Sequence, residues 1–259
     1  MSDRGTPDWR IVGSAELRAL WNLGLGSWAV LALALVLSAG TMVTSGTVPV
    51  NLLDARASAS GLARLATGIG VLLAMLAGAD AISGERERST LEALLLTPTR
   101  SRDFVIGKTV AALSMWIGCF VVSVPYLAVL GRFLGVGAST IAVAAIVGGL
   151  AAVLLAAAGM WVSLRTSSNR ASLGASLLVV AVLAFPGFLP ASSVASGFGY
   201  WIVKIDPVSA LLRFFNLVIV DQQTIAGELG WLVSPIVAAV IVSGATLNAG
   251  RKIALEPGR

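Results

Sequence analysis

Six long apolar runs, each close to the length of a membrane-crossing helix, constrain this chain more than any other feature. A helix needs about 20 apolar residues to cross roughly 30 Å of hydrocarbon. Only 12% of the 259 residues are charged and 57% are hydrophobic, whereas a water-soluble domain carries about 25% charged residues. We therefore expect an all-α polytopic membrane protein with one transmembrane domain over residues 1–259. The predicted spans run from about Ser27 to Ser45, Gly61 to Ile82, Gly107 to Leu130, Thr140 to Leu164, Leu173 to Pro190 and Leu229 to Asn248.

The distribution of positive charge predicts the orientation of these spans. Most of the 18 lysines and arginines fall in the N-terminal segment 1–26, after the second span, after the fourth span and in the C-terminal tail. The positive-inside rule places these segments, and hence both termini, in the cytoplasm. Arginine outnumbers lysine and alanine is abundant, which favours a bacterial inner or plasma membrane. Because topology explains the net charge of +5, we expect membrane lipid around the chain and no nucleic-acid partner.

The sequence lacks the residue sets that catalysis or metal binding requires. It has no histidine and one cysteine, Cys119, inside an apolar run. The commonest metal ligand and proton shuttle are therefore missing, and no disulfide can form within the chain. We find no nucleophile–base pair and no paired carboxylates. We expect no catalytic residue, no metal site and no cofactor bound by this chain.

Asp80 is the one acidic residue within a predicted span. A carboxylate inside the membrane is a candidate functional site by default, here for a proton or a cation. Its position near the cytoplasmic end also allows it to cap the helix or to pair with Arg86 or Arg88. We favour this structural role, because no second acid or histidine continues a proton relay.

Two rows of small residues indicate where helices could approach closely. They are Gly70-Ala74-Gly78 in the second span and Gly148-Ala152-Ala156 in the fourth. Small residues at this spacing let helix backbones come near each other in membranes. In a chain rich in alanine and glycine the signal is weak, because the pattern arises easily by chance.

The segment 8–22, ahead of the first span, predicts a short amphipathic helix. Ser14 is a candidate N-cap, and Leu17, Leu20 and Trp21 recur on one face. Such a helix suits the cytoplasmic membrane interface, with its tryptophans at headgroup level. The alternative is a solvated tail in which the amphipathic pattern occurs by chance.

A second short apolar segment, 208–220, lies in the predicted outer loop 191–228. It follows a turn-like Asp206-Pro207 pair and bears Arg213. It is too short to span, so we expect a re-entrant or interfacial segment on the outer side before the sixth span.

The predicted cytoplasmic loop 84–106 carries an ordered pattern of charge and leucine. Ser89 and Glu92 fit a capping box at the start of a helix. Thr97-Pro98 ends it, because a residue before proline disfavours the α conformation. Its apolar face consists of Leu91, Leu94 and Leu95. Two isolated turns are unstable in water, so this face must bind another surface. The simpler alternative is a loop whose charges only fix orientation.

This pattern resembles the segment after the second span in type-2 permeases of ATP-binding-cassette (ABC) exporters. The residues that carry the resemblance are Glu85-Arg86-Glu87, Ser89-Thr90-Leu91-Glu92, Leu94-Leu95, Thr97-Pro98 and Gly107-Lys108. One departure is Ser89, where the family usually has glycine. The length and the six spans agree with the family as well.

The resemblance implies a mechanism. The short cytoplasmic helix, at about 89–97, would be a coupling helix that docks on a separate ATPase, and two permeases would work with two ATPase subunits. The pairing would be a homodimer or a heterodimer. ATP and Mg²⁺ would bind the ATPase, since no GxxxxGK[ST] phosphate loop occurs in this chain. The implied ATPase-facing residues are Glu85, Arg86, Glu87, Arg88, Ser89, Thr90, Leu91, Glu92, Leu94 and Leu95.

Two other functions remain open at this point. One is a stand-alone secondary transporter or channel, which the scarcity of intramembrane ionisable residues disfavours. The other is a membrane anchor that recruits a cytoplasmic partner through residues 85–96. For the arginines at 86 and 88, simple anchoring on the cytoplasmic side is as well supported as a partner contact.

Overall fold

The computed structural model describes residues 8–22, 25–46, 52–88, 101–134, 137–188 and 197–251. All regular secondary structure within these ranges is helical. The helices are α1 (Asp8–Asn22), α2 (Leu25–Gly46), α3 (Leu52–Glu87), α4 (Ser101–Leu134), α5 (Gly137–Arg165), α6 (Asn169–Ala184), α7 (Phe198–Ile205), α8 (Pro207–Ile219) and α9 (Val233–Gly250). One 3₁₀ turn, Phe185–Phe188, follows α6 and another, Leu229–Leu232, precedes α9.

Six helical segments of the described residues are long and apolar enough to cross a membrane. They lie in α2, α3, α4, α5, α6 with its following 3₁₀ turn, and α9 with its preceding turn. The prediction of an all-α polytopic membrane protein with six spans is therefore confirmed. Hydropathy identified the spans because lipid selects strongly for apolar side chains along each of them.

Helices α3 and α5 form the centre of the bundle and are in backbone contact. A Cβ atom added to Gly78 of α3 would lie 2.5 Å from the carbonyl oxygen of Ala156. One added to Gly159 of α5 would strike the carbonyl oxygen of Met75. Gly78 and Ala156, taken from the two small-residue rows, thus face each other. Gly70 instead faces α4, where its Cβ would lie 3.0 Å from Cβ of Cys119.

The helices on either side of the predicted coupling loop are longer than expected. Helix α3 continues through Glu87 rather than ending near Ile82, and α4 begins at Ser101 rather than Gly107. The predicted helix ends at Ile82 and Gly107 are therefore wrong, whereas the cytoplasmic position of 84–106 stays a prediction. Charged residues mark where a helix leaves the hydrocarbon, but glutamate and arginine are good helix formers and do not end it.

Helix α1 starts before the N-cap that was predicted at Ser14, and it packs against α4. It begins at Asp8, and Ser14 lies inside it, where its hydroxyl donates to the carbonyl of Ile11 at 3.0 Å. The prediction of Ser14 as an N-cap is wrong, because serine can bond a preceding carbonyl of its own helix instead. The Trp21 indole donates to the hydroxyl of Ser114 on α4 at 3.2 Å.

The short apolar segment before the last span forms α8, as its turn-like start predicted. The Asp206 carboxylate accepts a hydrogen bond from the Ser209 amide at 2.6 Å, and Pro207 occupies the first turn. Phe214 and Phe215 are buried in the largest apolar cluster together with residues of α5. Arg213 lies on the exposed side of the helix.

Candidate functional site: a polar network at the α3–α4 end of the bundle

The end of α3, the start of α4, the α5–α6 turn and α1 meet at one end of the bundle, which we call the α3–α4 end. They surround a buried apolar cluster of Ile82, Phe104, Val105 and Met160. Val12 of α1 and Leu247 of α9 pack against this cluster. Both described chain ends therefore reach the same end of the bundle, as an even number of spans requires.

Lys108 joins three helices at this end. Its ammonium lies 2.5 Å from a carboxylate oxygen of Glu16 on α1 and 3.2 Å from one of Glu85 on α3. The Lys108 side chain is 2% exposed, whereas those of Glu16 and Glu85 are 25% and 17% exposed. The predicted third span begins at Gly107, and Lys108 lies within α4, where carboxylates on two other helices neutralise its charge.

Gly107 explains how α1 comes close enough for this contact. A Cβ at Gly107 would lie 2.9 Å from the carbonyl oxygen of Trp9 and 3.0 Å from the amide nitrogen of Gly13. A side chain at Gly107 would push α1 away from α4. The Gly107-Lys108 pair of the sequence pattern therefore has a structural role here: the glycine allows the helices to cross, and the lysine fixes the crossing electrostatically.

Asp80 is paired on both of its carboxylate oxygens. Oδ1 accepts a hydrogen bond from the Asn169 side chain at 2.6 Å, and Oδ2 lies 3.6 Å from the Arg88 guanidinium. The pairing with Arg88, which lies just after the end of α3, was one of the alternatives that the sequence allowed. These partners favour a structural role for Asp80 over a proton or cation site.

Asn169, the first residue of α6, is the functional candidate that sequence reasoning missed. Its side-chain oxygen lies 3.2 Å from the Ser83 hydroxyl, which donates to it, and its backbone amide donates to the Glu87 carboxylate at 3.2 Å. The Arg86 guanidinium donates to the carbonyl of Thr166 in the same turn. The one signal in the sequence is the Thr-Ser-Ser-Asn run, in which Ser168 caps α6.

Helix α5 is hydrogen-bonded to α3 close to this turn. The Ser163 hydroxyl accepts hydrogen bonds from the amides of Ile82 and Ser83 at 3.1 and 2.8 Å. The last turns of α3 are therefore held to α5 and to the α5–α6 turn. Movement of α3 at this end would be passed on to both.

The structure brings some of the predicted partner-facing residues together and leaves others outside its described ranges. Arg86, Glu87 and Arg88 are exposed on the last turn of α3 and just after it, whereas Glu85 is turned toward Lys108. All four also make contacts within the chain. Outside the described residues lie Ser89, Thr90, Leu91, Glu92, Leu94 and Leu95. The coupling helix and the contact with an ATPase stay predictions.

The described ranges contain no group of three or more histidine, cysteine, aspartate or glutamate residues that could hold a metal ion. The polar network instead holds α1, α3, α4 and the α5–α6 turn in one arrangement. Its paired charges and hydrogen bonds fix the helix ends relative to each other.

We expect the variant Asn169→Ala to lower the stability of the chain by about 1–3 kcal/mol. The Asp80 carboxylate would lose the hydrogen bond to its Oδ1 in a partly buried site, whereas the Ser83 hydroxyl keeps its bond to the Ala79 carbonyl. Thermal unfolding in mild detergent would measure the change. Asn248→Ala, at an exposed position of α9, is the matched control. Equal melting temperatures for the two variants would contradict this role of Asn169.

Comparison with known proteins places the chain in a family. The model of the ABC-2 family transporter protein matches residues 16–215. The chain is also similar to the ABC transporter permease protein NatB of Bacillus subtilis (strain 168), with 26% identity over 181 residues. That alignment covers 62% of this chain and 46% of NatB, so it spans about half the length of the relative. The family match includes the whole polar network from Glu16 to Asn169, and the chain belongs to the ABC-2 transporter family.

Proposed function

We propose that this chain is the membrane-spanning permease subunit of an ATP-driven ABC exporter. It would form the substrate pathway with a second permease copy or a homologous permease. Two copies of a separate cytoplasmic ATPase would bind ATP and Mg²⁺ and drive the cycle. The chain would contact them through the helix at about 89–97, which places the α3–α4 end and both termini in the cytoplasm.

Family membership supports the coarse part of this proposal. Permeases of ABC transporters are membrane subunits that work with an ATPase partner, and the six apolar helices fit a multi-pass subunit. The relative NatB is itself named a permease protein of an ABC transporter. The direction of transport comes from the resemblance to type-2 exporters.

The observation that carries the proposal is the way both flanks of the segment 89–100 are fixed to the bundle. On one side, Arg88 is paired with Asp80, and Glu87 and Arg86 bond the α5–α6 turn. On the other side, Lys108 ties α4 to α1 and α3. A force applied to the segment would therefore reach α1, α3, α4 and the α5–α6 turn. This is the arrangement that a coupling element needs.

A dimer is supported by the exposure of α6. Only 11% of its span is buried within the chain, whereas 50% of the α5 span is. Its large apolar side chains Leu178, Val182 and Phe185 are all exposed. A face of this kind contacts either lipid or a second subunit, and a pathway between two copies would use the second option.

A stand-alone transporter is less well supported by the same geometry. Proton-coupled transporters use chains of acidic or histidine residues within the membrane as proton relays. Asp80, the candidate for that role, already has two partners near a helix end. A simple membrane anchor would not need α1, α3, α4 and the α5–α6 turn to be joined at the docking segment.

The test is whether ATPase activity co-purifies with the chain through its leucine face. The tagged wild type, purified from its native membranes in mild detergent, should elute with an ATPase that hydrolyses ATP. We expect Leu91→Asp to remove at least about nine-tenths of that activity, because a carboxylate in an apolar contact costs several kcal/mol of binding. Ala93→Asp, two residues along and off the leucine face, should retain it.

Two results would contradict the proposal. One is that no ATPase elutes with a wild-type chain that remains folded in detergent. The other is that Leu91→Asp and Ala93→Asp retain the partner equally well. Leu91 is preferred over Glu87 for this test, because Glu87 also bonds the Asn169 amide within the chain.

A further inference from the structure

An apolar cavity of about 210 Å³ lies between α3, α5, α6 and α8, away from the α3–α4 end. Its walls include Val71, Leu155, Val180 and Phe215. An apolar cavity of about 150 Å³ in another protein stays dry and binds benzene. This cavity therefore has room for part of one hydrocarbon chain.

Arg64 is the one charged residue that lines this cavity. Its guanidinium donates through one nitrogen, Nη2, to the side-chain oxygen of Asn216 and to the Ser60 hydroxyl at 3.4 Å. It also lies 5.8 Å from the centre of the Phe215 ring. All of these partners are neutral. Within the described ranges no acidic side chain pairs with Arg64, and its Nε is buried without a hydrogen-bond partner.

An uncompensated positive charge within a membrane span is costly and calls for an anion. Hydrogen bonds to neutral oxygens satisfy single donors but leave the net charge in place. The guanidinium still offers Nη1, and a carboxylate oxygen accepts a charge-assisted hydrogen bond from such a donor. The apolar cavity beside it would accept the hydrocarbon part of the same molecule. Charge and shape therefore indicate a ligand that is anionic at one end and apolar along the rest.

We propose that this cavity binds a single-chain anionic amphiphile, a fatty-acid carboxylate, with the carboxylate on Arg64 and the chain against the apolar walls. The volume fits one chain better than the two chains of a phospholipid. Binding requires this chain alone, so the proposal does not depend on an ATPase partner or on transport.

Two variants separate the contributions of charge and cavity. Arg64→Gln removes the positive charge while keeping a hydrogen-bonding side chain. Gly68 lines the cavity, and a Cβ placed on it meets no atom within 4 Å. Gly68→Leu therefore begins in open space at the cavity wall, and we expect its side chain to fill part of the cavity. The matched controls are Arg213→Gln on the exposed side of α8 and Gly61→Leu, where a Cβ also meets no atom within 4 Å.

The experiment is a titration of the purified chain in neutral detergent, followed by native mass spectrometry. The probes are myristate, the uncharged alcohol of the same chain length, and phosphatidylglycerol. We expect saturable myristate binding that weakens about tenfold or more in Arg64→Gln, since a charge-assisted contact is lost. Binding of the alcohol should change little in that variant. Gly68→Leu should weaken both probes, and the two controls should match the wild type.

Three outcomes would overturn the proposal. The first is the absence of saturable myristate binding to the folded wild type. The second is equal myristate affinity in Arg64→Gln and Arg213→Gln. The third is binding of phosphatidylglycerol with no binding of myristate, which would assign the charge to a bilayer phospholipid. Arg64→Lys keeps the charge and should retain most of the myristate binding, which distinguishes a binding role from a folding role.

Discussion

Replacing Lys108 with methionine should destabilise the chain by about 3 kcal/mol, the lower end of the range for breaking a buried ion pair by removing one partner. Methionine fills much the same space but removes the ammonium that the carboxylates of Glu16 and Glu85 both contact. The effect falls at the lower end because these two side chains are 25% and 17% exposed and keep some hydration.

Thermal unfolding in detergent would measure this loss. Arg102→Met is the matched control, because it removes a positive charge from an exposed position on the same helix. The triple variant Lys108→Met/Glu16→Gln/Glu85→Gln should regain most of the stability, since the two carboxylates that contacted the ammonium are then neutral amides. Two results would contradict this role of Lys108. One is an equal melting temperature for Lys108→Met and Arg102→Met. The other is a triple variant that is no more stable than Lys108→Met alone.

The membrane architecture could be predicted from the sequence, because the lipid environment imposes one requirement on each span independently. The length of each apolar run can be read from its own residues, without reference to the neighbouring spans. The helix ends could not be predicted from the same signal. The run Gly84-Glu85-Arg86-Glu87 leaves the hydrocarbon and yet continues α3, because helix propensity and membrane depth are separate properties.

The candidate site was predicted on one helix only. The sequence indicated the charges at 85–88 and Asp80, which are close together along the chain. Their partners Glu16, Lys108 and Asn169 lie on other helices, and pairing between distant segments is decided by how those helices pack. Arg64 presents the same problem, since its neutral partner Asn216 is 152 positions away in sequence.

Adding one methyl group at Gly78 should destabilise the bundle by about 1–3 kcal/mol, even though alanine is the better helix former by about 1 kcal/mol. The new Cβ would lie 2.5 Å from the Ala156 carbonyl oxygen. That atom belongs to the backbone of α5 and cannot rotate away, so α3 and α5 must separate. Gly61→Ala on the same helix meets no atom within 4 Å and should be neutral or slightly stabilising.

Opposite signs for two glycine-to-alanine changes on one helix would show that contact, rather than propensity, decides the outcome. Gly159→Ala places its methyl against the Met75 carbonyl of α3 in the same interface, so it should resemble Gly78→Ala. The double variant should lose less than the sum of the two single losses, because helices already separated by one methyl accommodate the second more easily. Melting temperatures in detergent measure all four variants. Equal stability of Gly78→Ala and Gly61→Ala would mean that α3 and α5 are not in backbone contact at this point.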